Sequence, residues 1–483
     1  MKEKLIGREK ESKELREWIN SERSEFIAIY GRRRVGKTFL VKKTIGDKIC
    51  FYFSGSYKLN RKSQLLNFGL ALRDRTGNQE LEIPDNWIEA FNELKHYLEK
   101  LPEGNKVVFI DELPWIDTPK SGFIPALENF WNSWASWRDD IKLIVCGSAT
   151  SWIISKIIKN KGGLHNRITH SMLVNPFDLK ECEEYFKAYR FGYSRMQIAE
   201  CYMTLGGIPY YFSLMKSGES LSKNIDYLFF SADAPLKNEF EDLYRALFQN
   251  AEKYITVIKA LSEKGIGLTR QEILKKTRLT NNGEFSKILE DLELCGFIRS
   301  YLPFQDYFST KKKNIKVNSE TLFQLVDFYT LFYLRFQDNF KLHNEHFWSG
   351  MINSPAIYAW RGITFEMLCL WHVKQIKRAL GIGDVSTQEY SWTGESDGKK
   401  VQIDLLIVRE DNTINLCEIK FSLREFSIDK EYADNLLEKT DVFIESTHTN
   451  KTVLLTMITT KGIKKNNYSY IVQREVKLDS LFE

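Results

Sequence analysis

Three short stretches of this sequence place reactive side chains at spacings that chemistry needs. The first is GRRRVGKT, residues 31–38, which follows the apolar run FIAIY. Gly31 and Gly36 let successive backbone N–H groups curl around an anion with no Cβ in the way, and Arg32, Arg33, Arg34 and Val35 complete that loop. Lys37 would reach the outer phosphates of a bound ATP, and the Thr38 hydroxyl would hold Mg²⁺. The second stretch, KVVFIDEL at 106–113, is an apolar run ending in two acids. Asp111 is placed to hold the magnesium shell and Glu112 to orient and deprotonate an attacking water. The third is VQIDLLIVREDNTINLCEIKFS, residues 401–422, which sets Asp404, Glu418 and Lys420 into otherwise apolar strands. Residues two apart share a strand face, so Glu418 and Lys420 project together, and a turn at EDNT brings Asp404 near them. Carboxylates held that close favour a divalent cation between them, and a lysine beside the ion can act on water.

Elements of defined type must position these groups. FIAIY, KVVFID and KLIVCGSA (142–149) read as buried parallel strands, which places the chain in the α/β class. FLVKKTI continues as a helix whose positive dipole end faces the anion. Ser148 ends the third strand, where it would sense a γ-phosphate or simply turn the chain into the next helix. Residues 181–230 read as amphipathic helices. Between 250 and 320 the pattern is helix, turn, short helix capped by Thr269, turn, helix, then a strand pair around 297–307 and 314–317, a winged-helix arrangement. That segment holds thirteen lysines and arginines against nine acids, but its third helix carries Glu284, Glu290, Asp291 and Glu293. Such a helix suits a structural or protein-contact role better than a phosphate backbone, while the run Lys311–Lys313 points the other way. TLFQLVDFYTLFYLRF, 321–336, reads as an aromatic-rich helix packed between domains.

A chain of 483 residues exceeds one core. The expected division is 1–175, 176–245, 246–340 and 341–483. Seven cysteines stand singly in apolar runs, with no CxxC pair, and read as reduced core residues. The charged start MKEKLIGREKESKEL lacks an apolar leader and no run approaches a membrane span, so a cytoplasmic protein without membrane contact is expected. The formal net charge of +5 is too small to name a partner.

IGREKE at 6–11, YGRRRVGKT, FIDELPW at 109–115 and GGIPYYF at 206–212 together resemble the predicted archaeal and bacterial ATPases of the STAND branch of AAA+ proteins. That resemblance implies a P-loop core and a helical lid at GGIPYYF. Through GGLHNRITHS, 162–171, it makes Arg167 a candidate γ-phosphate arginine, although His165-Asn166 departs from the usual pattern and a loop-capping arginine is the alternative. The hairpin, D-x13-ExK, resembles the PD-(D/E)XK nuclease core, with Ile403 where proline is usual. Upstream, AWRGITFEMLCLWHV supplies the leading helix, and Glu366 on it would join Asp404 and Glu418 around Mg²⁺, or Mn²⁺ in its place. The combined resemblance implies an ATP-driven switch coupled to a nuclease-like domain acting on nucleic acid, DNA ahead of RNA, with self-association a further expectation. The rival is a signalling ATPase whose C-terminal domain binds without cleaving.

Overall fold

The first sheet of the protein grows from five short strands in a computed structural model that describes residues 4–160, 162–302, 304, 321–338, 344–396 and 399–483. The strands are β1 (Glu25–Tyr30), β2 (Ile49–Ser54), β3 (Lys106–Asp111), β4 (Ile141–Gly147) and β5 (His170–Leu173), all parallel in the order β2-β3-β4-β1-β5. The near-continuous apolar content of β1, β3 and β4 follows from burial on both faces. One face packs Phe68, Trp87, Phe91 and Phe123 from flanking helices. The other receives α1 (Glu9–Ile19) and α2 (Lys37–Ile45) through Leu15, Ile19, Leu40 and Val41. All five strands run the same way, so the segments leaving β1, β3 and β4 gather at one edge of the sheet, where ligands of open α/β folds sit.

After β5 the chain enters α3 (Leu179–Ala188), which opens on a reciprocal capping box between Asp178 and Glu181, and α4 (Arg195–Leu205), capped likewise by Ser194 and Gln197. After α4 the chain passes through Gly206 and Gly207 at φ 72° and 68°. A Cβ on Gly207 would stand 2.3 Å from the Phe177 carbonyl oxygen, so only glycine fits this approach. Next come α5 (Glu239–Leu247), α6 (Ala251–Ser262), α7 (Arg270–Thr277) and α8 (Gly283–Leu294). The last three pack with a small antiparallel sheet of β6 (Leu268–Thr269), β7 (Ile298–Tyr301) and β8 (Leu322–Leu325), in the order β6-β8-β7.

Here the structure departs from expectation. Residues 321–336 form the strand β8 and then α9 (Phe328–Phe332), rather than one helix. Asp327 separates them by capping α9, its side chain accepting from Thr330 N at 3.2 Å. The partner of β7 is therefore Leu322–Leu325. The expected strand at 314–317 and the run Lys311–Lys313 lie outside the described residues.

The C-terminal sheet has the order β13-β12-β11-β10-β9. Its strands β9 (Thr387–Ser396), β10 (Lys399–Arg409) and β11 (Thr413–Lys420) form an antiparallel meander, and β12 (Thr452–Thr459) and β13 (Arg474–Lys477) add in parallel. Helix α10 (Pro355–Trp371) precedes the meander and packs on β11, and α11 (Lys430–Thr447) makes the crossover from β11 to β12. One apolar cluster runs from α1 and α2 through α3 and α4 to α10 and the terminal Leu478, Leu481 and Phe482. The cores are thus joined, in keeping with a sequence that has no linker. Six of the seven cysteines are buried, Cys50 is half-buried, and all are free thiols.

Candidate functional site

The loop after β1 is built on two glycines with φ of 144° and 89°, Gly31 and Gly36. A Cβ on Gly31 would lie 2.2 Å from the Val174 carbonyl oxygen, so the loop closes against β5's exit only with glycine. Lys37 is buried and its Nζ donates to the carbonyls of Gly31 and Arg32, both at 2.9 Å. The ammonium is thereby held over the loop where an anion's charge would fall. Thr38 Oγ1 donates to Asp111 Oδ2 at 2.7 Å. This hydroxyl and carboxylate are hard oxygen donors, the chemistry that suits Mg²⁺.

Glu112 follows directly in a left-handed conformation, φ 51°. Its Oε2 accepts from Ser148 Oγ at 2.9 Å and from Ser148 N at 3.3 Å. Burial pushes the Glu112 carboxyl above its usual range, Lys37 opposes that shift and Asp111 adds to it. A carboxyl of raised pKa, fixed at two points beside the loop, has the character of a general base. Ser148, read from the sequence as either a γ-phosphate sensor or a strand-to-helix turn, donates its hydroxyl to Glu112.

The arginines of the loop point elsewhere. Arg32 makes a bidentate pair with Asp327, Nη1–Oδ1 2.5 Å and Nη2–Oδ2 2.7 Å, and lies 5.0 Å from the Phe297 ring centroid. Arg34 pairs with Glu239 on α5 at 2.6 Å and stacks on Tyr210 at 4.1 Å, and Arg33 donates to the Asp242 carbonyl at 3.3 Å. Their side chains are thus taken up by α5, Tyr210 and Asp327. Arg167 requires a correction. β5 runs parallel to β1 with His170 opposite Ile27, and Thr169 N donates to Phe26 O, so Arg167 precedes the start of these strands. The phosphate loop leaves the far end of β1, about 17 Å away at strand rise. Arg167 is exposed there and does not complete this chain's own loop.

A cavity of about 350 Å³ adjoins the loop, and its lining includes Lys37, Thr38 and Glu112 together with Ile6, Phe177 and Tyr185. Arg8, not singled out from the sequence, anchors this wall. It is 4% exposed, donates to the carbonyls of Asn175 at 2.6 Å and Val35 at 3.4 Å, and lies 4.8 Å from the Phe177 centroid. The signal was in IGREKE: Gly7 and Arg8 both have φ of 59°, and Arg8 N donates to Glu181 of the α3 capping box at 3.1 Å.

The third stretch forms a second cluster. Asp404 sits at a register break of β10 against β9, between Ile403 and Leu406. Glu418 is 1% exposed and accepts from Lys420 Nζ at 2.9 Å, from Lys439 Nζ at 3.1 and 3.0 Å, and from Tyr432 OH at 3.0 Å. Lys439 and Tyr432 were not foreseen, although seven residues put them on one face of α11. Burial and the neighbouring carboxylates push Asp404 up to about 6 and Glu366 on α10 up to about 8, against the opposing pull of Lys420. The expected ligand trio Glu366, Asp404 and Glu418 is not assembled as a cage. Among the described residues no group of three or more His, Cys, Asp or Glu is arranged to hold a metal ion. The reason is local: both oxygens of Glu418 carry ammonium groups. Asp404 and Glu366 remain as two carboxylates with no ammonium or guanidinium at ion-pair distance among the described residues. No described helix is long and apolar enough to cross a membrane.

A protein of Methanocaldococcus jannaschii, itself uncharacterized, is 25% identical over 313 residues, spanning 64% of this chain and 65% of that protein, less than two thirds of its length. Among solved structures, the Walker-type ATPase of Pyrococcus abyssi is similar with a TM-score of 0.48 and 18% identity, covering 70% of this chain and 97% of that one. The Aeropyrum pernix ORC2 protein, in ADPNP-ADP complexes, has a TM-score of 0.39 and 15% identity over 68% of this chain and 93% of its own. Residues 5–215 match the family model of an ATPase domain predominantly from Archaea.

Proposed function

We propose that the chain binds ATP with Mg²⁺ in the cavity beside residues 31–38, hydrolyses it, and uses nucleotide state to position the C-terminal sheet. The observation that carries this reading is the joint placement, at one edge of β1, β3 and β4, of Lys37 over the loop, Thr38 on Asp111, and Glu112 on Ser148. The backbone N–H groups of residues 32–37 and Lys37 would take the phosphates. Thr38 and Asp111 would hold Mg²⁺, which supplies charge neutralisation between the phosphates. Glu112 would take the proton of the attacking water, with Ser148 keeping its carboxyl aimed. Arg32 and Arg34 tie the loop to the middle region and lid, so a change at the phosphates is felt by both.

At the C-terminal sheet the reading is a divalent-cation site for phosphodiester cleavage of nucleic acid, DNA ahead of RNA. Glu366 and Asp404 would hold the ion, which supplies Lewis acidity toward the phosphate and water, and Lys420 would stand beside the water. Support comes from their convergence around Glu418. The second reading is a switch ATPase whose C-terminal domain binds without cleaving, and the two ammonium groups on Glu418 favour it. Equilibrium titration of wild type and Lys37→Ala with ATP tests the first half; equal affinity would remove the assignment. Plasmid nicking with Mn²⁺, with and without ATP, by wild type and Asp404→Ala tests the second. Nicking that depends on Asp404 supports cleavage, and no nicking under any nucleotide selects the binding module.

A further inference from the structure

Residues 461–477, KGIKKNNYSYIVQREVK, hold five lysines and arginines against one acid, Glu475, in a chain whose whole formal net charge is +5. Lys461, Lys464 and Lys465 are exposed, and none has an ion-pair partner among the described residues. Two tyrosines stand beside them: Tyr470 is 80% exposed and Tyr468 37%. The Tyr470 ring therefore contributes almost nothing to the core. The loop that carries these groups is braced by Asn466. Its Nδ2 donates to the Ile428 carbonyl at 2.7 Å, and its Oδ1 accepts from Tyr468 N at 2.9 Å and Ser469 N at 3.0 Å. Phe426 N donates to the Gly462 carbonyl at 2.7 Å and Lys464 N to the Phe426 carbonyl at 2.9 Å, which ties the loop to the segment after β11. Lysines and rings are thus presented from a fixed backbone, which lowers the ordering cost of a contact. β12 runs beside β11 with Thr459 opposite Lys420, so the loop leaves the sheet at the end where Lys420 stands.

We infer that residues 461–470 form a binding surface for single-stranded nucleic acid, with Lys461, Lys464 and Lys465 on the phosphates and Tyr470 under a base. The inference rests on the nucleic-acid reading of the C-terminal sheet and needs neither cleavage nor a cation. Ammonium groups without partners attract a phosphate backbone of any sequence. An exposed ring adds a face on which a base stacks, and unpaired bases are the ones that present such a face. Charge alone would favour a duplex, whose phosphates are denser. The ring reverses that preference. An anionic lipid surface shares the phosphate chemistry but fits less well, because the aliphatic side chains of the loop, Ile463, Ile471 and Val472, are buried or half-buried and do not reach out to enter a bilayer. A strand held on this loop passes the end of the sheet that carries Lys420.

The test is fluorescence anisotropy of a labelled oligothymidylate of about twenty nucleotides with the full chain, in EDTA and without ATP, over a series of KCl concentrations. Wild type should bind it about tenfold tighter than a duplex of the same length. Lys464→Gln combined with Lys465→Gln should weaken binding about tenfold and lower the salt slope by about 1.4, because two phosphate contacts are lost. Tyr470→Ala should weaken it about tenfold with the slope unchanged, because stacking releases no counterion. Lys62→Gln combined with Lys100→Gln removes two exposed charges near the first sheet and should leave affinity within about twofold. All of these side chains are exposed, and equal melting temperatures show that the variants are folded. A duplex bound as tightly as the single strand, or wild-type affinity in Tyr470→Ala, would overturn the single-strand assignment. Wild-type affinity in every loop variant would move the nucleic acid to another surface, overturning this one and leaving the nucleic-acid reading standing. Binding of wild type to phosphatidylserine vesicles and to neither nucleic acid would make the loop a lipid contact and overturn the proposal. If wild type binds neither nucleic acid nor vesicles, the nucleic-acid reading of the C-terminal sheet falls and the proposal with it.

Discussion

Replacing Asp327 by asparagine isolates the contact between the phosphate loop and the middle region. Asp327 is 2% exposed and Arg32 8%, and two hydrogen bonds of 2.5 and 2.7 Å join them. Burial alone would lower the Arg32 pKa, but Asp327 more than offsets it and the net shift is upward, so the guanidinium stays charged. Asparagine keeps an oxygen to cap α9 at Thr330 and removes only the charge. The guanidinium is then left buried beside the Phe297 ring, with an Nε that already lacks a partner. Breaking one side of such a pair costs about 3–5 kcal/mol. Urea unfolding followed by tryptophan fluorescence should show that loss. ATP affinity should fall about fivefold as well, because Arg32 lies inside the loop that the pair holds. The double variant Arg32→Met with Asp327→Leu should recover most of the stability, since apolar replacement of a buried pair is neutral or favourable, yet should leave ATP affinity low. A loss below about 1 kcal/mol in Asp327→Asn would refute the tether.

Ser148→Ala removes the hydroxyl that positions Glu112; kcat for ATP hydrolysis should fall about tenfold to a hundredfold with Kd for ATP within about twofold, read by phosphate release and nucleotide titration. Asp140 is held down to about 2, first by the hydrogen bond from Arg138 and further by Lys106, against its own burial. Its folded pKa lies below the ordinary 3.8, so its contribution is present above about pH 4 and is lost as pH falls toward 2. Asp140→Asn should therefore destabilise by about 2 kcal/mol at neutral pH and by little near pH 2, measured by unfolding across that range. Phe482 is 3% exposed under the Arg195 guanidinium, 4.9 Å from its ring. Phe482→Ala should cost about 3–5 kcal/mol and loosen the C-terminal residues from α3 and α4, visible as faster amide exchange in both helices.

What could be read from the sequence was whatever is local. GRRRVGKT, FIDEL and DLLIV…CEIK announce themselves because a loop, a strand end and a hairpin each fix residue types within a few positions. Parallel strands then bring the first two together without further information. What escaped was pairing across long separations: Arg32 with Asp327 spans 295 residues and Arg8 with Asn175 spans 167. Lys439 and Tyr432 needed α11 to be laid beside β11 before their target was visible. The boundary between β8 and α9 was missed because TLFQLVDFYTLF is apolar with either period. Asp327, an N-cap residue before Phe-Tyr-Thr, was the available signal. Arg167 was a candidate through resemblance alone, with a loop-capping arginine as the alternative, and strand direction carries it to the end of the sheet opposite the loop.

The most direct measurement is a single-turnover reaction with γ-labelled ATP and Mg²⁺, comparing wild type with Glu112→Gln on protein whose ATP binding has been titrated in parallel. Glu112 should matter to proton removal and not to phosphate binding, so the glutamine variant is expected to bind ATP within about twofold of wild type and to release phosphate at least about a hundredfold more slowly. Phosphate release at the wild-type rate from Glu112→Gln would contradict the assignment of Glu112, and with it the ATPase site built around Thr38, Asp111 and Ser148.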